Sequence, residues 1–260
     1  MPHAFLDIHI GDAAAHAALQ SAYERAIAFI AAKSSELAID PLCKPEYLAD
    51  WQRDVAVEMY KADPMWRDKR FAIRQYAFAE SFPPKQGPIR LTPPPPPRGG
   101  RILVTLYADK CPKTVTNFLA LCTGSKGLSK STKKPLHYKS TPIHRIVRGF
   151  VAQGGDITRY DGSGGDSIYG GTFNDEKEGL KLKFEKGLLA MANSGKNSNT
   201  SQFFVTLGED PKKLAKMDGK YVVFGRVVEG WEVLDLLDAV GTEDGRPSDQ
   251  VQIVDCGELP

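Results

Sequence analysis

Few side chains in this sequence have the types and spacing that covalent or metal chemistry requires. The four cysteines, Cys43, Cys111, Cys122 and Cys256, show no C-x-x-C spacing, which argues against a zinc site and against a dense disulfide framework. The glycine-rich run from Gly162 to Gly165 lacks the preceding strand and following helix of a dinucleotide-binding turn. The sequence therefore predicts no metal site, no bound cofactor and no phosphate cradle formed by those glycines.

Two polar side chains, His144 and Arg145, lie side by side in an apolar stretch. A lone histidine is more often structural than catalytic, and an arginine between apolar strand residues more often belongs to a solvated face. The residue types alone give His144 no proton-transfer role. What Arg145 does depends on the elements that position it.

A proline-rich break divides the chain between Pro83 and Gly100, where the five prolines Pro93 to Pro97 permit neither a helix nor a central strand. The pattern before the break predicts helices. We expect helices to start at Asp12, running through Lys33, at Pro45 and at Asp63-Pro64. An apolar face on the second helix is predicted from the spacing of Leu48, Trp51, Val55 and Met59.

After the break the pattern is mostly β, with apolar residues alternating at period two between Ile102 and Tyr107. Further predicted strands cover Tyr221–Phe224 and Val251–Val254, and short helices are predicted at Thr114–Cys122 and Trp231–Val240. The segment from Ala4 to Gly11 also alternates. Because an isolated strand cannot bury its apolar face, it needs the sheet that lies beyond residue 98.

The overall composition excludes several classes of protein. Hydrophobic residues make up 42% of the chain and the formal net charge is +2, so there is no global electrostatic footprint for nucleic acid or an anionic membrane. Apolar stretches are far shorter than the roughly 20 residues that cross a bilayer. The first residues lack a basic leader and carry Asp7 and Asp12, so we expect a cytoplasmic location.

The segment from Ile143 to Asp156, with sequence IHRIVRGFVAQGGD, closely resembles the signature of the cyclophilin family of peptidyl-prolyl isomerases. The family's other motifs follow in order, and the resemblance covers residues 98 to 260. These motifs are Gly162–Gly170, Met191–Ser194, Ser201–Phe204 and Asp218–Gly225. The resemblance implies a mainly β fold, a closed eight-stranded barrel capped by two helices.

Cyclophilins usually join their first two strands by a short glycine turn, and here the matching strands are far apart in the sequence. We therefore predict residues 1–11 as the first strand, 12–97 as a helical insertion that ends in the polyproline segment, and 98–260 as the rest of the barrel. Insertions at exposed turns are tolerated, because loop-closure entropy grows only slowly with length.

The resemblance implies isomerisation of X-Pro bonds, with Arg145 as the catalytic donor to the prolyl amide. Phe204, Phe150, Val151 and Met217 are then expected to line the proline pocket, while Phe203 on the opposite strand face is a core residue. Gln153 and Gln202 are expected to orient Arg145 and to bind peptide backbone. Other expected substrate-binding residues are His144, Ala192, Asn193 and Tyr221.

Three positions depart from the family pattern: Val151 replaces the usual pocket methionine, Tyr221 a histidine, and Lys216 a tryptophan that helps to hold cyclosporin. Leu214 offers a partial substitute. The resemblance therefore implies weakened cyclosporin binding. The loop from Glu209 to Met217 is longer than usual and basic, which fits either altered peptide preference or a solvated loop.

The segment from Lys130 to His137 resembles the extra loop of divergent-loop cyclophilins. In that subgroup, cysteines that match Cys122 and Cys256 are thought to form a redox-sensitive pair. The resemblance places the acidic partner of the loop near Gly171, which carries no carboxylate.

Two functional hypotheses remain open. One is an active isomerase acting on proline-containing peptides or proteins; the other is a proline-peptide-binding module with little activity in a larger assembly. Residues 12–81 are rich in large apolar groups, which favours a protein partner for that region. Pro93–Pro97 fits either a stiff spacer or a ligand for a proline-rich-motif reader.

Overall fold

The computed structural model describes residues 1–62, 89–94 and 97–259. Eight strands cover β1 His3–Ile10, β2 Arg98–Leu106, β3 Arg145–Val147, β4 Val151–Gly154, β5 Leu188–Met191, β6 Phe203–Thr206, β7 Val223–Glu229 and β8 Val251–Leu259. The helices are α1 Ala13–Ala32, α2 Ser34–Leu37, α3 Asp50–Ala62, α4 Pro112–Thr123, α5 Lys177–Leu180, α6 Pro211–Leu214 and α7 Trp231–Ala239, with short 3₁₀ turns at Pro45–Tyr47 and Ala215–Met217.

The chain forms two compact units, Met1–Gly11 with Pro97–Pro260, the sheet unit, and Asp12–Pro96, the helical unit. In the sheet unit all eight strands join one curled antiparallel sheet of order β3-β4-β6-β5-β7-β2-β1-β8. The first strand β1 lies between β2 and β8. Its register with β2 runs from His3 opposite Thr105 to Ile10 opposite Arg98.

The sheet is open, so the predicted closed barrel needs correction. The end strands β3 and β8 share no ladder in the described part of the chain. The residues just before β3 do approach β8: Ile143 N donates to Val251 O and Ile253 N to Thr141 O, both at 2.9 Å, around an isolated bridge between Pro142 and Gln252. The free edge of β3 itself is taken by residues 242–245, because Ile146 N donates to Gly245 O at 2.8 Å and Thr242 N to Ile146 O at 3.1 Å.

Two helices cover the apolar interior of the sheet unit, as expected. Pro112 occupies the first turn of α4, where its missing N–H costs no hydrogen bond. Phe118 of α4 is fully buried, and its ring lies 5.1–5.4 Å from those of Tyr138, Phe203 and Phe224. Leu237 of α7 belongs to the same core.

The helical unit begins as predicted, because Asp12 Oδ1 accepts a hydrogen bond of 2.9 Å from Ala15 N and caps α1. Its core consists of Phe29, Ile30, Leu37, Leu48, Ala56 and Tyr60. None of the helices in the described residues is long and apolar enough to span a bilayer.

The second predicted helix is wrong in its start, and its predicted apolar face is only partly right. Pro45 opens only a 3₁₀ turn, and Leu48 after it has extended backbone, so α3 begins at Asp50. Leu48 and Met59 do pack in the core of this unit, whereas Trp51 is 60% and Val55 41% exposed. The helix predicted at Asp63-Pro64 lies outside the described residues.

Candidate functional site

Strand register places an arginine, a glutamine and a phenylalanine in one row across the sheet. Arg145 of β3 lies opposite Gln153 of β4, which lies opposite Phe204 of β6. Residues directly opposite each other share a sheet face. The next row, Ile146, Ala152 and Val205, belongs to the interior core. Arg145, Gln153 and Phe204 therefore share the outer face.

Phe203 and Phe204 point to opposite faces because side chains alternate along a strand. Phe203 is in the interior core, as predicted, whereas Phe204 belongs to a second apolar cluster, called here the outer pocket. Its buried members are Val151, Phe184, Leu188, Ala190, Phe204, Leu214, Met217 and Val223, with Phe150, Ala192 and Tyr221 partly buried beside them.

Three aromatic rings form the centre of the outer pocket. The Phe184 ring stacks on Phe204 with centroids 5.9 Å apart, and Tyr221 meets Phe204 edge-on at 5.3 Å. Phe184 was missed by sequence reasoning, because it lies in a loop of mixed lysines and apolar residues without strand or helix periodicity. A proline ring placed against this cluster would pack on aromatic and aliphatic side chains.

The two glutamines hold each other and the glycine-rich run Gly162–Gly165, called here the glycine turn. Gln153 Nε2 donates to Gln202 Oε1 at 2.9 Å, and Gln202 Nε2 donates to the carbonyl oxygens of Gly162 and Gly164 at 2.8 and 2.6 Å. Within the described residues neither glutamine hydrogen-bonds Arg145, contrary to our expectation that they orient it. Their link instead connects β4 and β6 to the glycine turn.

Arg145 is exposed, and its stem packs on Gly245, which sequence reasoning also missed. Gly245 has φ +87°, and a Cβ added there would lie 3.1 Å from Arg145 Cγ and 3.2 Å from its Nε. The Gly245 carbonyl also accepts from Ile146 N at 2.8 Å, which holds this turn against β3. The guanidinium has no ion pair or hydrogen bond among the described residues, so its donors are available to a ligand.

A cavity of about 310 Å³ opens beside this guanidinium. Its lining is polar and of mixed charge, and consists of His144, Arg145, Gln153, Asp161, Gly162, Asp244, Gly245 and Arg246. It is large enough for several atoms of a peptide chain next to the outer pocket.

His144 is half-buried against the glycine turn. A Cβ added to Gly162 would lie 2.5 Å from His144 Nε2, and neither ring nitrogen has a hydrogen-bond partner in the described residues. Burial lowers the pKa of His144, and the positive charge of Arg145 adds to this effect, although Asp156 and Asp161 oppose it. The ring is thus neutral at pH 7 and contributes shape to the site.

The chain that follows β5 offers main-chain groups to a ligand. Ala192 N donates to Gln202 O at 2.9 Å, and Asn193 Nδ2 donates to Lys220 O at 3.0 Å, so both residues are held in place. The backbone N–H and C=O of Asn193 make no hydrogen bond within the described part of the chain. They are free for an extended peptide.

Cys122 and Cys256 are buried thiols in direct contact. Cys256 Sγ donates to Cys122 O at 3.2 Å. Burial raises the pKa of the Cys122 thiol well above its usual range, and the hydrogen bond with the Cys256 side chain raises it further.

The segment Lys130–His137 with the adjoining Ser129, called here the divergent loop, has an acidic partner, although Gly171 lacks a carboxylate. Buried Asp166 accepts hydrogen bonds from the Ser129 and Ser131 hydroxyls, the latter at 2.9 Å, and from Gly171 N at 2.6 Å. The resemblance predicts the acidic partner near Gly171, and the carboxylate is that of Asp166, five residues earlier. It links residues 129–132 to the segment after the glycine turn.

A curled eight-stranded sheet with two covering helices, an exposed arginine and an adjacent aromatic pocket defines a cyclophilin-type fold and site. Residues 97–258 match the family model described as cyclophilin type peptidyl-prolyl cis-trans isomerase/CLD. The chain belongs to this family. It is 50% identical over 163 residues to peptidyl-prolyl cis-trans isomerase cyp11 of Rhizopus delemar, a match that covers 62% of this chain and 47% of that protein. The match thus spans less than half the length of that relative.

Proposed function

We propose that this chain catalyses cis–trans isomerisation of X-Pro bonds in peptides and proteins. Family membership supports the reaction class, and one observation supports the assignment of the reaction to Arg145 and Phe204. The guanidinium of Arg145, which has no ion pair or hydrogen bond among the described residues, shares a sheet face with the aromatic cluster around Phe204. Strand β4 lies between them, so two strand spacings of about 4.8 Å separate the positions, a distance that an arginine side chain and a proline ring seated on Phe204 bridge together.

The reaction needs binding of a twisted amide and no covalent chemistry. Rotation about X-Pro breaks amide resonance, with a barrier of roughly 18–20 kcal/mol. A donor that approaches the prolyl nitrogen stabilises its pyramidal, unconjugated form more than the planar ground state. Arg145 supplies that donor, because its planar fork can contact the nitrogen and a neighbouring carbonyl together.

The remaining site residues hold the substrate. Phe150, Val151, Phe204 and Met217 receive the proline ring, and the Asn193 backbone pairs with the extended chain. His144, Gln153, Gln202 and Tyr221 complete the walls, as do Ala192 and Phe184.

We further propose that cyclosporin binding is weak. Lys216 stands where the family carries tryptophan, so the indole N–H donor is missing from that position. Leu214 is buried in the outer pocket and supplies apolar area, yet it offers no hydrogen bond.

The helical insertion anchors or targets the enzyme in this proposal, through a protein partner in the cytoplasm. Exposed Tyr47, Trp51 and Val55 support a partner surface on the described part of that region. The alternative is a weakly active proline-peptide-binding module that serves as a structural component of a larger assembly. Capture of a partner by residues 12–97, compared with turnover by the whole chain, separates the two.

The test is Arg145→Ala, measured by a proline-limited refolding assay and by circular dichroism. We expect a retained fold, because the side chain is exposed, and at least a tenfold loss of kcat/KM, equivalent to about 1.4 kcal/mol. Arg226→Ala is the matched control, since Arg226 is an exposed strand arginine of β7 outside this row. Equal activity in both variants would remove Arg145 from the mechanism.

A further inference from the structure

A second cavity, of about 460 Å³, borders the same glycine turn. One wall is formed by the glycine turn together with Thr158 and Arg159, and the other belongs to the divergent loop. The lining consists of Thr132, Lys134, Thr158, Arg159, Ser163, Gly164 and Gly165. Its volume lies within the range of small-molecule binding sites.

Both walls are held by buried carboxylates. Asp156 accepts from Thr158 N and Arg159 N through Oδ1, and from Gly162 N and Gly164 N through Oδ2, at 2.9–3.0 Å. Asp166 holds the opposite wall through Ser129 and Ser131. The cavity is therefore formed before any ligand arrives, which lowers the ordering cost of binding.

The lining is positively charged. It contains Lys134 and Arg159 and no carboxylate. Neither cation has an ion pair in the described part of the chain, and the one hydrogen bond of the Arg159 guanidinium reaches Ser163 Oγ at a long 3.4 Å. The nearby carboxylates of Asp156, Asp161 and Asp166 accept hydrogen bonds from Gly162 N, Ser163 Oγ and Ser131 Oγ, respectively.

We propose that this cavity binds a phosphate group. Two unpaired cations match the charge of about −1.5 to −2 that a phosphate monoester carries at pH 7. The arginine fork suits phosphate oxygens, and Thr132 Oγ1 adds a hydroxyl donor whose contact with Asp166 is long, at 3.5 Å. The amides of Gly164 and Gly165 are already used by Asp156 and Thr158, so side chains do the binding.

We take this phosphate to be carried by the substrate, and that part of the proposal rests on the proposed isomerase function. The glycine turn lines both cavities, and Gln202 bonds it to the row that contains Gln153. A polypeptide bound beside Arg145 can therefore place a phosphoserine or phosphothreonine side chain in the second cavity. Free inorganic phosphate would make the same contacts, and the experiments below distinguish it from a phosphorylated peptide.

The first experiment measures binding alone, by calorimetry, with inorganic phosphate and with peptides that carry one X-Pro bond and phosphoserine at successive positions around it. We expect a phosphopeptide to bind at least about tenfold more tightly than its serine counterpart. Lys134→Gln combined with Arg159→Gln should abolish that difference. Lys130→Gln combined with Lys133→Gln, an equal charge change on the same loop but outside the cavity, should preserve it.

The second experiment compares kcat/KM for the same peptides. A preference for phosphoserine in the wild type that disappears only in the Lys134 and Arg159 variants supports the site, and equal binding of inorganic phosphate identifies the free ion as the ligand. Identical turnover of phosphorylated and plain peptides, with no phosphate binding, overturns the inference and leaves the isomerase function standing. Phosphate binding at this site without turnover of any peptide supports the site and overturns the function.

Discussion

Asp156 is the carboxylate on which the glycine turn depends. Burial alone would raise its pKa, but hydrogen bonds from Arg159 N, Thr158 N and Gly164 N outweigh burial and hold the pKa well below its usual range. The ionised form is therefore the one that stabilises the fold. Because Gly162 supports both His144 and Gln202, this carboxylate also shapes the proposed active site.

We predict that Asp156→Asn lowers the free energy of unfolding by about 1–3 kcal/mol at pH 7, since an amide cannot accept from both pairs of N–H donors. The folded-state pKa is depressed, so the wild-type advantage is complete above about pH 5 and declines as pH falls through 4 and 3. Urea unfolding across this range measures it. Asp109→Asn, at an exposed carboxylate, should change little at any pH, and a constant difference between Asp156→Asn and wild type would contradict the linkage.

Cys122 and Cys256 are expected to be less reactive than the redox-sensitive pair that the family resemblance implies. Cys122 and Cys256 are in contact, but burial and the raised pKa of Cys122 disfavour its reactive thiolate. We expect both to react with iodoacetamide about tenfold or more slowly than half-buried Cys43. Because the thiolate is disfavoured, we expect mild oxidation to leave Cys122 and Cys256 unlinked. A Cys122–Cys256 linked peptide with altered activity, found by peptide mapping and an activity assay, would establish the redox pair instead.

At the scale of the elements, the contact between the divergent loop and Asp166 could not be predicted from the sequence. Serine hydroxyls from the loop converge on one carboxylate that is distant in sequence, and no periodicity marks such a pair. Alternation along a strand could separate Phe203 from Phe204, while the predicted residues of the outer pocket came from the family resemblance. Phe184, Gly245 and Asp166 were missed because they lie in loops whose positions depend on tertiary contacts.

We predict that Asp166→Asn releases the loop while the sheet remains intact. Ser131 N and Thr132 N both donate to Ser129 Oγ, whose orientation depends on Asp166. Their amide exchange, followed by NMR, should accelerate by about tenfold, corresponding to the loss of roughly one hydrogen bond. Asp161→Asn, at a carboxylate beside the glycine turn that does not contact the loop, is the control. Unchanged exchange in Asp166→Asn would show that the loop is held by other contacts.

At the scale of the whole molecule, the position of β1 within the sheet shows how the chain is organised. The strand pattern of Ala4–Gly11 predicted a partner beyond residue 98, and β1 lies between β2 and β8. The openness of the sheet could not be predicted from the strand pattern, because it depends on the loop residues Thr242 and Gly245, which bond the edge of β3. The start of the second helix was mispredicted because Pro45 is compatible with a helix start and with a 3₁₀ turn, and it opens the turn.

The insertion hypothesis predicts that residues 12–97 can be removed if β1 is kept. Ile10 and Arg98 are directly opposite in the ladder, so a short glycine-rich turn can join Gly11 to Arg98 without moving either strand. We expect this shortened variant to be soluble and to isomerise X-Pro bonds at a rate close to that of the whole chain. Refolding assays and thermal unfolding measure both properties.

Removal of residues 1–97 should have the opposite result, because it deletes a strand from inside the sheet. β1 pairs along its full length with both β2 and β8, and Ala4, Leu6, Ile8 and Ile10 are buried in the core. The truncated variant would expose two strand edges and an apolar groove, which favours aggregation as well as unfolding. We expect it to be far less stable than the shortened variant in urea. Equal stability of the two would mean that β1 is dispensable, and residues 12–97 would then be part of an N-terminal extension instead of an insertion.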